Sequence, residues 1–361
     1  MATKVQVETV SEELLGPFMA LTATEYHDLP VNDPAVVRWR HFDNPVGPST
    51  AVELVDGDTR FGRMWIQVLP WSVRGQATRA ANPIDFLIRE DRRKLPAFLS
   101  LFKSTMSESL ARADLVFHTS NPVTDDLYRK LMKFEPVTEL DGAVLPTRPF
   151  ATAAAGGMFD AKFAGRAADA LVSGVLRLVG AAATLSGLKL SAQAPGAAEQ
   201  ESVVAALRCE EQVCGTRSRE QRAWRFRGAG PIAYEQLWIM RRGKPVGYVV
   251  TTDRDLDGIA GRFVVDLVLP GKRRRLDPIA LWLLVAGRAA AAHRDAVFFF
   301  CNRANARLAS LVRLPMYAVG RERLPQRIPV FVRTAGHPGG PDLDGVDWSS
   351  GYFVLSDFDL F

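Results

Sequence analysis

The chain has 361 residues, 47% hydrophobic and 24% charged, with a formal net charge of +5. That length supports two domains with cores of their own, and the composition excludes disordered, collagen-like and disulfide-stapled classes. The mild positive charge suits anionic ligands such as nucleotides, phosphopantetheine carriers or tRNA, or simply a basic solvated surface; no CxxC-type finger, basic leucine zipper or RNA-binding motif is visible, and DNA is not an expected partner.

In chain order, residues 5–21 read as a strand and a short helix. Residues 33–39 read as a helix with Asp33 as N-cap and Pro34 at the first helical position, broken by Asn44-Pro45-Val46-Gly47-Pro48. Residues 51–55, the turn Asp56-Gly57-Asp58 and residues 63–69 read as strand, turn and strand. A strand at 83–88, a helix at 97–111, a buried strand at 114–118, a helix at 124–132 and a last strand at 135–140 complete the first half. The stretch 147–202 is rich in Ala and Gly, with an apolar run at 167–190. Asp169, Arg177, Lys189 and several Gly and Ser residues weigh against a membrane span, so a packed linker helix is expected and membrane association is not. Residues 191–201 read as a flexible join. In the second half, 234–240 and 246–251 form a hairpin around Arg241-Arg242-Gly243-Lys244. A strand at 262–269, a helix at 279–292, a buried strand at 296–300, a helix at 304–312 and a strand from Tyr317 follow. Residues 337–345 form a Gly/Pro/Asp loop, and 352–355 a closing strand. The expected units are therefore 1–146, a helical and flexible linker at 147–202, and 203–361.

The two halves repeat. Asp85 and Asp266, Arg92 and Arg273, Val116 and Val297, Phe117 and Phe298, and Asn121 and Asn302 are each 181 residues apart, and Trp39-Arg40 stands 185 residues before Trp224-Arg225. A register held over this length means two copies of one supersecondary unit. Three cysteines, Cys209, Cys214 and Cys301, lack metal spacing, and their odd number argues against a disulfide framework. With a polar start lacking an apolar leader core, a cytoplasmic location is expected.

The order hairpin, long strand, basic turn, helix, buried strand, Asn-led helix and final strand, twice over, resembles the GNAT acyltransferase fold, and more narrowly the bacterial tandem-GNAT proteins. The residues carrying this are Trp39-Arg40-His41-Phe42-Asp43-Asn44-Pro45, Asn121-Pro122 with Leu127-Tyr128-Arg129-Lys130-Leu131 and Phe134, and Ser356-Asp357-Phe358-Asp359. The resemblance implies an α/β (α+β) chain of two GNAT-like domains, each a mixed, mostly antiparallel sheet flanked by helices. It implies acetyl-CoA or another acyl-CoA as donor, bound between two splayed parallel strands, with its pyrophosphate on the following helix N-terminus.

The family's loop there reads Arg/Gln-x-x-Gly-x-Gly/Ala. Here the first copy reads Arg92-Arg93-Lys94-Leu95-Pro96-Ala97, and the second Arg273-Arg274-Arg275-Leu276-Asp277-Pro278. Leucine replaces the first glycine in both; Ala97 keeps the small last residue, whereas Pro278 has no N–H and Asp277 adds a negative charge. The first copy is the better donor site, with Arg92, Arg93, Lys94, Ala97 and Asn121 as its contacts, unless this is a basic turn facing solvent.

N-acyl transfer needs a neutral amine, a donor to the tetrahedral oxyanion and an acid for the thiolate. The family's acid is a tyrosine seven positions after the asparagine. Tyr128 stands there in the first copy and Ala309 in the second. Asp85, on the strand feeding the loop, is the candidate base, and His118 is a second. Each has a structural alternative: Tyr128 as a packing residue, Asp85 as a backbone or strand partner, His118 as a core histidine. No metal cluster or Ser-His-Asp constellation is visible in the sequence. The expected function is N-acyl transfer to a small-molecule or sugar amine. The alternatives are a FemABX-like transferase using a tRNA or carrier-protein donor, and a non-catalytic binding module.

Overall fold

A computed structural model describes residues 4–25, 30–120, 122–132, 134–155, 164–256, 258–271, 274, 276–312, 314–320, 327–336 and 341–358. The first half contains β1 (Lys4–Thr9), α1 (Glu12–Ala23), α2 (Pro34–His41), β2 (Thr50–Asp56), β3 (Thr59–Val73), β4 (Gln76–Ile88), α3 (Leu95–Arg112), β5 (Leu115–Thr119), α4 (Pro122–Met132), β6 (Thr138–Glu139) and β7 (Asp141–Pro146). Then come α5 (Pro149–Ala155), α6 (Ala164–Ala183), β8 (Leu188–Ser191), α7 (Ala197–Glu210) and β9 (Val213–Gly215). The rest contains α8 (Arg219–Arg225), β10 (Glu235–Arg241), β11 (Lys244–Leu256), β12 (Ile259–Val268), α9 (Asp277–Ala291), β13 (Ala296–Cys301), α10 (Ala306–Leu311), β14 (Tyr317–Val319) and β15 (Pro329–Thr334).

Local chemistry explains the starts and turns. Asp33 caps α2 by accepting the Ala35 N–H at 2.8 Å, with Pro34 behind it. Arg74-Gly75 and Arg242-Gly243 all have positive φ (50°, 75°, 49° and 80°), the backbone that tight two-residue hairpins need. The first of these turns makes β3 and β4 one long hairpin, where the apolar pattern predicts strand only up to residue 69 and again from 83.

Two sheets result, with the same order. One runs β1-β2-β3-β4-β5-β15-β6, with β9 added against β3; the other runs β8-β10-β11-β12-β13-β7-β14. In each, the fourth and fifth strands are parallel and the other pairings antiparallel. The sixth strands are exchanged. β7, from the first half, lies on β13 of the second sheet, and β15, from the second half, lies on β5 of the first. Strand membership thus crosses the boundaries expected at 146 and 203. The stretch expected as a linker is part of the second unit: β8 pairs with β10, and α6 packs along α9. Gly180 and Gly287 permit that approach, because a Cβ on Gly180 would meet Leu283 O at 2.9 Å. Only the inner face of α6 is packed, so the helix is half a core element and half exposed.

The units meet around an approximate two-fold relation. Trp39 Nε1 donates to Trp224 O and Trp224 Nε1 donates to Trp39 O, each at 2.7 Å. One buried apolar core runs through both units, joining Trp39, Trp71 and Phe117 to Trp238, Tyr248 and Phe299. A second core, under α3, contains Phe98, Phe102, Tyr128 and Phe331.

Candidate active site

In the first unit, β4 and β5 share only two ladder pairs, Ala80 with Leu115 and Ala81 with Val116. β4 then runs on to Ile88, with a register shift against β3 and Asp85 at φ 55°. This bulge bends the strand and opens a gap on its β5 side. Asn82 is the first residue past the last pair. It is 2% exposed and faces Gln67 across the hairpin. Asn82 Nδ2 and Gln67 Oε1 have no hydrogen-bond partner, whereas Gln67 Nε2 donates to Arg40 O. A cross-strand pair just past the last β4–β5 pairing therefore carries one unpartnered buried donor and one unpartnered buried acceptor, a costly arrangement unless a ligand or water completes it.

The second gap is closed. β12 and β13 hold four parallel pairs, from Gly261–Ala296 to Val264–Phe299. Beyond them lies the end of the same chain: Tyr352, Phe353 and Val354 are wholly buried. The Asn302 N–H donates to Phe353 O at 3.0 Å, Val354 bridges to Cys301, and the Tyr352 hydroxyl donates to Leu267 O. The expected closing strand at 352–355 is therefore a plug between splayed strands, held by isolated bridges. Below it, Arg217 Nε donates to Asp266 at 3.0 Å and Nη2 to Asp357 at 2.8 Å, and the Tyr248 hydroxyl donates to Asp266 at 2.8 Å. Burial raises the Asp357 carboxyl above its ordinary range even with Arg217 opposing it. The adjoining cavity, lined by Trp71, Arg222, Trp224 and this cluster, measures about 50 Å³, room for little beyond water.

The turns before the helices differ in the same sense. At α3, Lys94 stands at the N-cap without a side-chain cap, and the N–H groups of Leu95 and Ala97 have no partner among the described residues. Arg92 reaches Asp56 at 3.2 Å and covers the Phe61 ring; Arg93 pairs with Glu25 and donates to Ile88 O. Lys94 and Arg93 are exposed, and Ala97 is half-buried. At α9, Asp277 accepts the Arg274 N–H at 2.7 Å and pairs with Arg241, and Glu210 accepts the Gly271 N–H at 2.9 Å. The chain's own carboxylates take the place an anion would fill. Arg273 and Arg275 lie outside the described residues, as does Asn121.

The candidate acid and bases fall in two places. Tyr128 and His118 meet, ring centroids 4.9 Å apart, but inside the core: His118 stacks on Phe331 at 5.1 Å, and Tyr128 packs on Phe102 at 4.9 Å. Both are 3% exposed. Burial pulls the His118 imidazole down to about 3, and neither ring nitrogen has a partner. Burial likewise holds the Tyr128 phenol well above its usual range, against a hydrogen bond from Thr124. Phe299, the residue 181 positions after His118, fills the matching strand position in the second unit and packs on Trp282.

Asp85 lies elsewhere. It accepts from His41 Nε2 at 2.7 Å and from Arg40 at 3.3 Å, and its carboxyl is 12% exposed. Burial alone would raise it, but Arg40, His41 and Arg63 outweigh that and hold it well below the usual carboxylate range. His41 Nδ1 lies 3.0 Å from Ser49 Oγ, so Ser49, His41 and Asp85 form a buried hydrogen-bonded chain. With Asp85 ionised, Nε2 carries the proton and Nδ1 accepts from Ser49. Ser49, wholly buried, is no nucleophile; the chain orients Asp85. In the sequence His41 stands only within the Trp39–Pro45 motif, and no local signal marks Ser49, Gln67 or Asn82. Extending the hairpin outward from Arg74-Gly75 would have paired Gln67 with Asn82.

No protein-family model and no curated protein matches the chain. Its fold is similar to that of solved structures. A GCN5-related N-acetyltransferase from Anabaena variabilis superposes with a TM-score of 0.57 and 13% identity, over 92% of this chain and 73% of that one. Saccharomyces cerevisiae N-myristoyltransferase with bound myristoyl-CoA gives 0.56 and 10%, over 92% and 80%. A tandem GNAT protein from the clavulanic acid biosynthesis pathway gives 0.55 and 12%, over 93% and 100%. At these identities the likeness speaks for architecture, and with the two equivalent sheets it leads to one conclusion: the chain has the tandem GNAT fold, two such units joined by exchanged strands.

Proposed function

We propose that the chain is an N-acyltransferase that holds an acyl-CoA in the gap of its first unit and passes the acyl group to a small-molecule or sugar amine. One observation carries this reading: in the first unit β4 parts from β5 at the unpartnered buried Asn82 and is followed by a helix with free N–H groups, while the second gap is filled by the chain itself. Two of the similar folds are named as acyltransferases, one with myristoyl-CoA bound, which supports the choice of donor.

In this reading the pyrophosphate takes the N–H groups of Leu95 and Ala97, with Arg92, Arg93 and Lys94 around it. The amine nitrogen attacks the thioester carbonyl, the C–N bond forms and the C–S bond breaks, and the amine's proton passes through water to the thiolate. Asn82 Nδ2, just past the last β4–β5 pairing, supplies a hydrogen bond to the oxyanion. Asp85 is too strongly held as an anion to be an efficient base near neutral pH. It draws in the acceptor's ammonium, which releases one proton to bulk water before the neutral amine attacks, with Arg40 and His41 setting the position of the carboxylate. The second unit braces the first.

Calorimetry on the full chain with acetyl-CoA and myristoyl-CoA tests this. One site per chain is expected. Ala97→Glu places a carboxylate where the phosphates would lie and should weaken binding at least about 100-fold, and Leu276→Glu, at an exposed position of the corresponding turn in the second unit, should leave it unchanged. Absence of binding to either thioester would reject the CoA reading and bring forward a tRNA, a carrier protein or a non-catalytic role. The second unit cannot be cut out for this purpose, because β7 would be lost from its sheet.

A further inference from the structure

α6 lies along the outer side of the second unit. Its inner face is tied down: Asp169 accepts the N–H groups of Phe150 and Ala151 at 2.8 and 2.9 Å, Ser173 donates to Thr147 O, and Gly180 abuts α9. Its outer face carries Leu171 (70% exposed), Val175 (48%), Leu178 (73%) and Val179 (37%), and Leu185 (89%) continues the line just past the helix. Positions 171, 175, 178, 182 and 185 form one helical stripe, and Ala167, Ala170, Ala181 and Ala182 widen it with further exposed apolar surface. A stripe of large, mostly exposed aliphatic side chains is a recognition surface, unlike a scattered exposed leucine. Residues Gly165–Ser186 are long and apolar enough to cross a membrane, at a mean hydropathy of 1.5. The hydrogen bonds and packing of the inner face instead keep the helix lying along the body of the protein.

Charge selects the occupant. The exposed charged residues of α6 are Arg166 and Arg177, the latter's guanidinium donating to Ala290 O of α9 at 2.8 Å, and Lys189 follows on β8. The one acid of the helix, Asp169, is buried and engaged with backbone N–H groups. A second copy on this face would bring these cations into an apolar seam that offers no exposed acid of α6 to meet them. An anionic lipid surface complements both the ridge and its cations. We propose that α6 is a membrane-surface anchor: the ridge from Leu171 to Leu185 sinks into the boundary of headgroups and acyl chains, with Arg166 and Lys189 at the level of anionic headgroups. This does not depend on the acyl-transfer reading.

The test is co-sedimentation of the full chain with vesicles of phosphatidylcholine alone and of phosphatidylcholine with phosphatidylglycerol, alongside analytical ultracentrifugation without lipid. The expected result is binding that favours the phosphatidylglycerol vesicles and weakens with salt. L171D/L178D, both positions being exposed, should keep the wild-type circular dichroism and lose at least about tenfold in partitioning. Arg166→Glu should lose several-fold and Arg166→Lys nothing. A wild-type chain that stays in solution with both vesicles would overturn the proposal. So would L171D/L178D binding as tightly as wild type, or a wild-type dimer that the double variant abolishes, which would make the ridge a self-interface.

Discussion

In the first unit, β4 leaves β5 after two ladder pairs, and its bulge presents Asp85 beside Arg40 and His41 with part of the carboxyl still open to solvent. In the second, β12 and β13 stay paired for four residues, Tyr352 to Val354 lie between their ends, and Asp266 is sealed with Arg217 and Asp357. The two sheets have one strand order and reciprocal tryptophan bonds, so the difference is local. An aspartate repeated at one sequence position has become, in one copy, the wall of an open gap and, in the other, part of a buried charge cluster. The lesson is that repetition of a residue carries its position over, not its role. The role is set by what the rest of the chain places against it.

The sharpest way to break this comparison is to remove each aspartate's cation. Arg217→Met leaves Asp266 and Asp357 buried without their guanidinium and should destabilise the chain by about 3–5 kcal/mol in denaturant titration. Adding Asp266→Asn and Asp357→Asn should restore much of that. Arg40→Met, at the partly open Asp85 that keeps His41, should cost about half as much. Equal costs would mean that the two sites are equally sealed.

His118 offers a pH test of the first core. The unfolded chain binds this proton near 6.5 and the folded chain only near 3. As pH falls from 6.5 toward 3, the unfolded state takes up the proton first and stability drops, by up to about 1.4 kcal/mol per pH unit. Above 6.5 the group is neutral in both states and its contribution is constant. Asp85, held below the usual carboxylate range, acts at lower pH: its stabilisation is present above about 3.9 and is lost as pH falls further. His118→Phe, which copies Phe299 of the second unit, should flatten thermal stability between pH 6.5 and 4. An unchanged slope would show that His118 is not buried as a neutral ring.

The tryptophan pair should be the symmetric element. Trp39→Phe and Trp224→Phe each remove one indole donor and should cost similar amounts, about 1–2 kcal/mol, in thermal unfolding. Markedly unequal costs would deny the two-fold relation at the junction. The smallest effect is expected at Tyr128. With its phenol in the aromatic core, Tyr128→Phe should keep turnover within about twofold of wild type. A fall of about 100-fold or more would show that the core opens and the phenol serves as the acid.

Much of this fold was legible because its signals are local or periodic. The 181-residue register, the Asp33 cap and the hairpin at Arg242-Gly243 all report on neighbouring residues or on duplication. The exchange of β7 and β15 was not legible. Either strand satisfies its apolar pattern equally well in either sheet, and nothing in a six-residue run names its partner. The apolar run at 352–355 reads as a strand because it is buried, yet what buries it is a gap between strands already paired elsewhere. In the candidate site, the carboxylate was found from duplication. His41, 44 residues away, meets Asp85 only through the tertiary fold, and Asn82 and Gln67 meet through a hairpin longer than its apolar pattern suggested.

Amide hydrogen exchange of the full chain with and without acyl-CoA tests the central claim most directly, since it locates the donor within the sequence. The asymmetry of the gaps predicts new protection in residues 82–88 and at the start of α3, with residues 265–268 and the start of α9 unchanged. Protection in the second gap, together with loosening of 352–357, would contradict it.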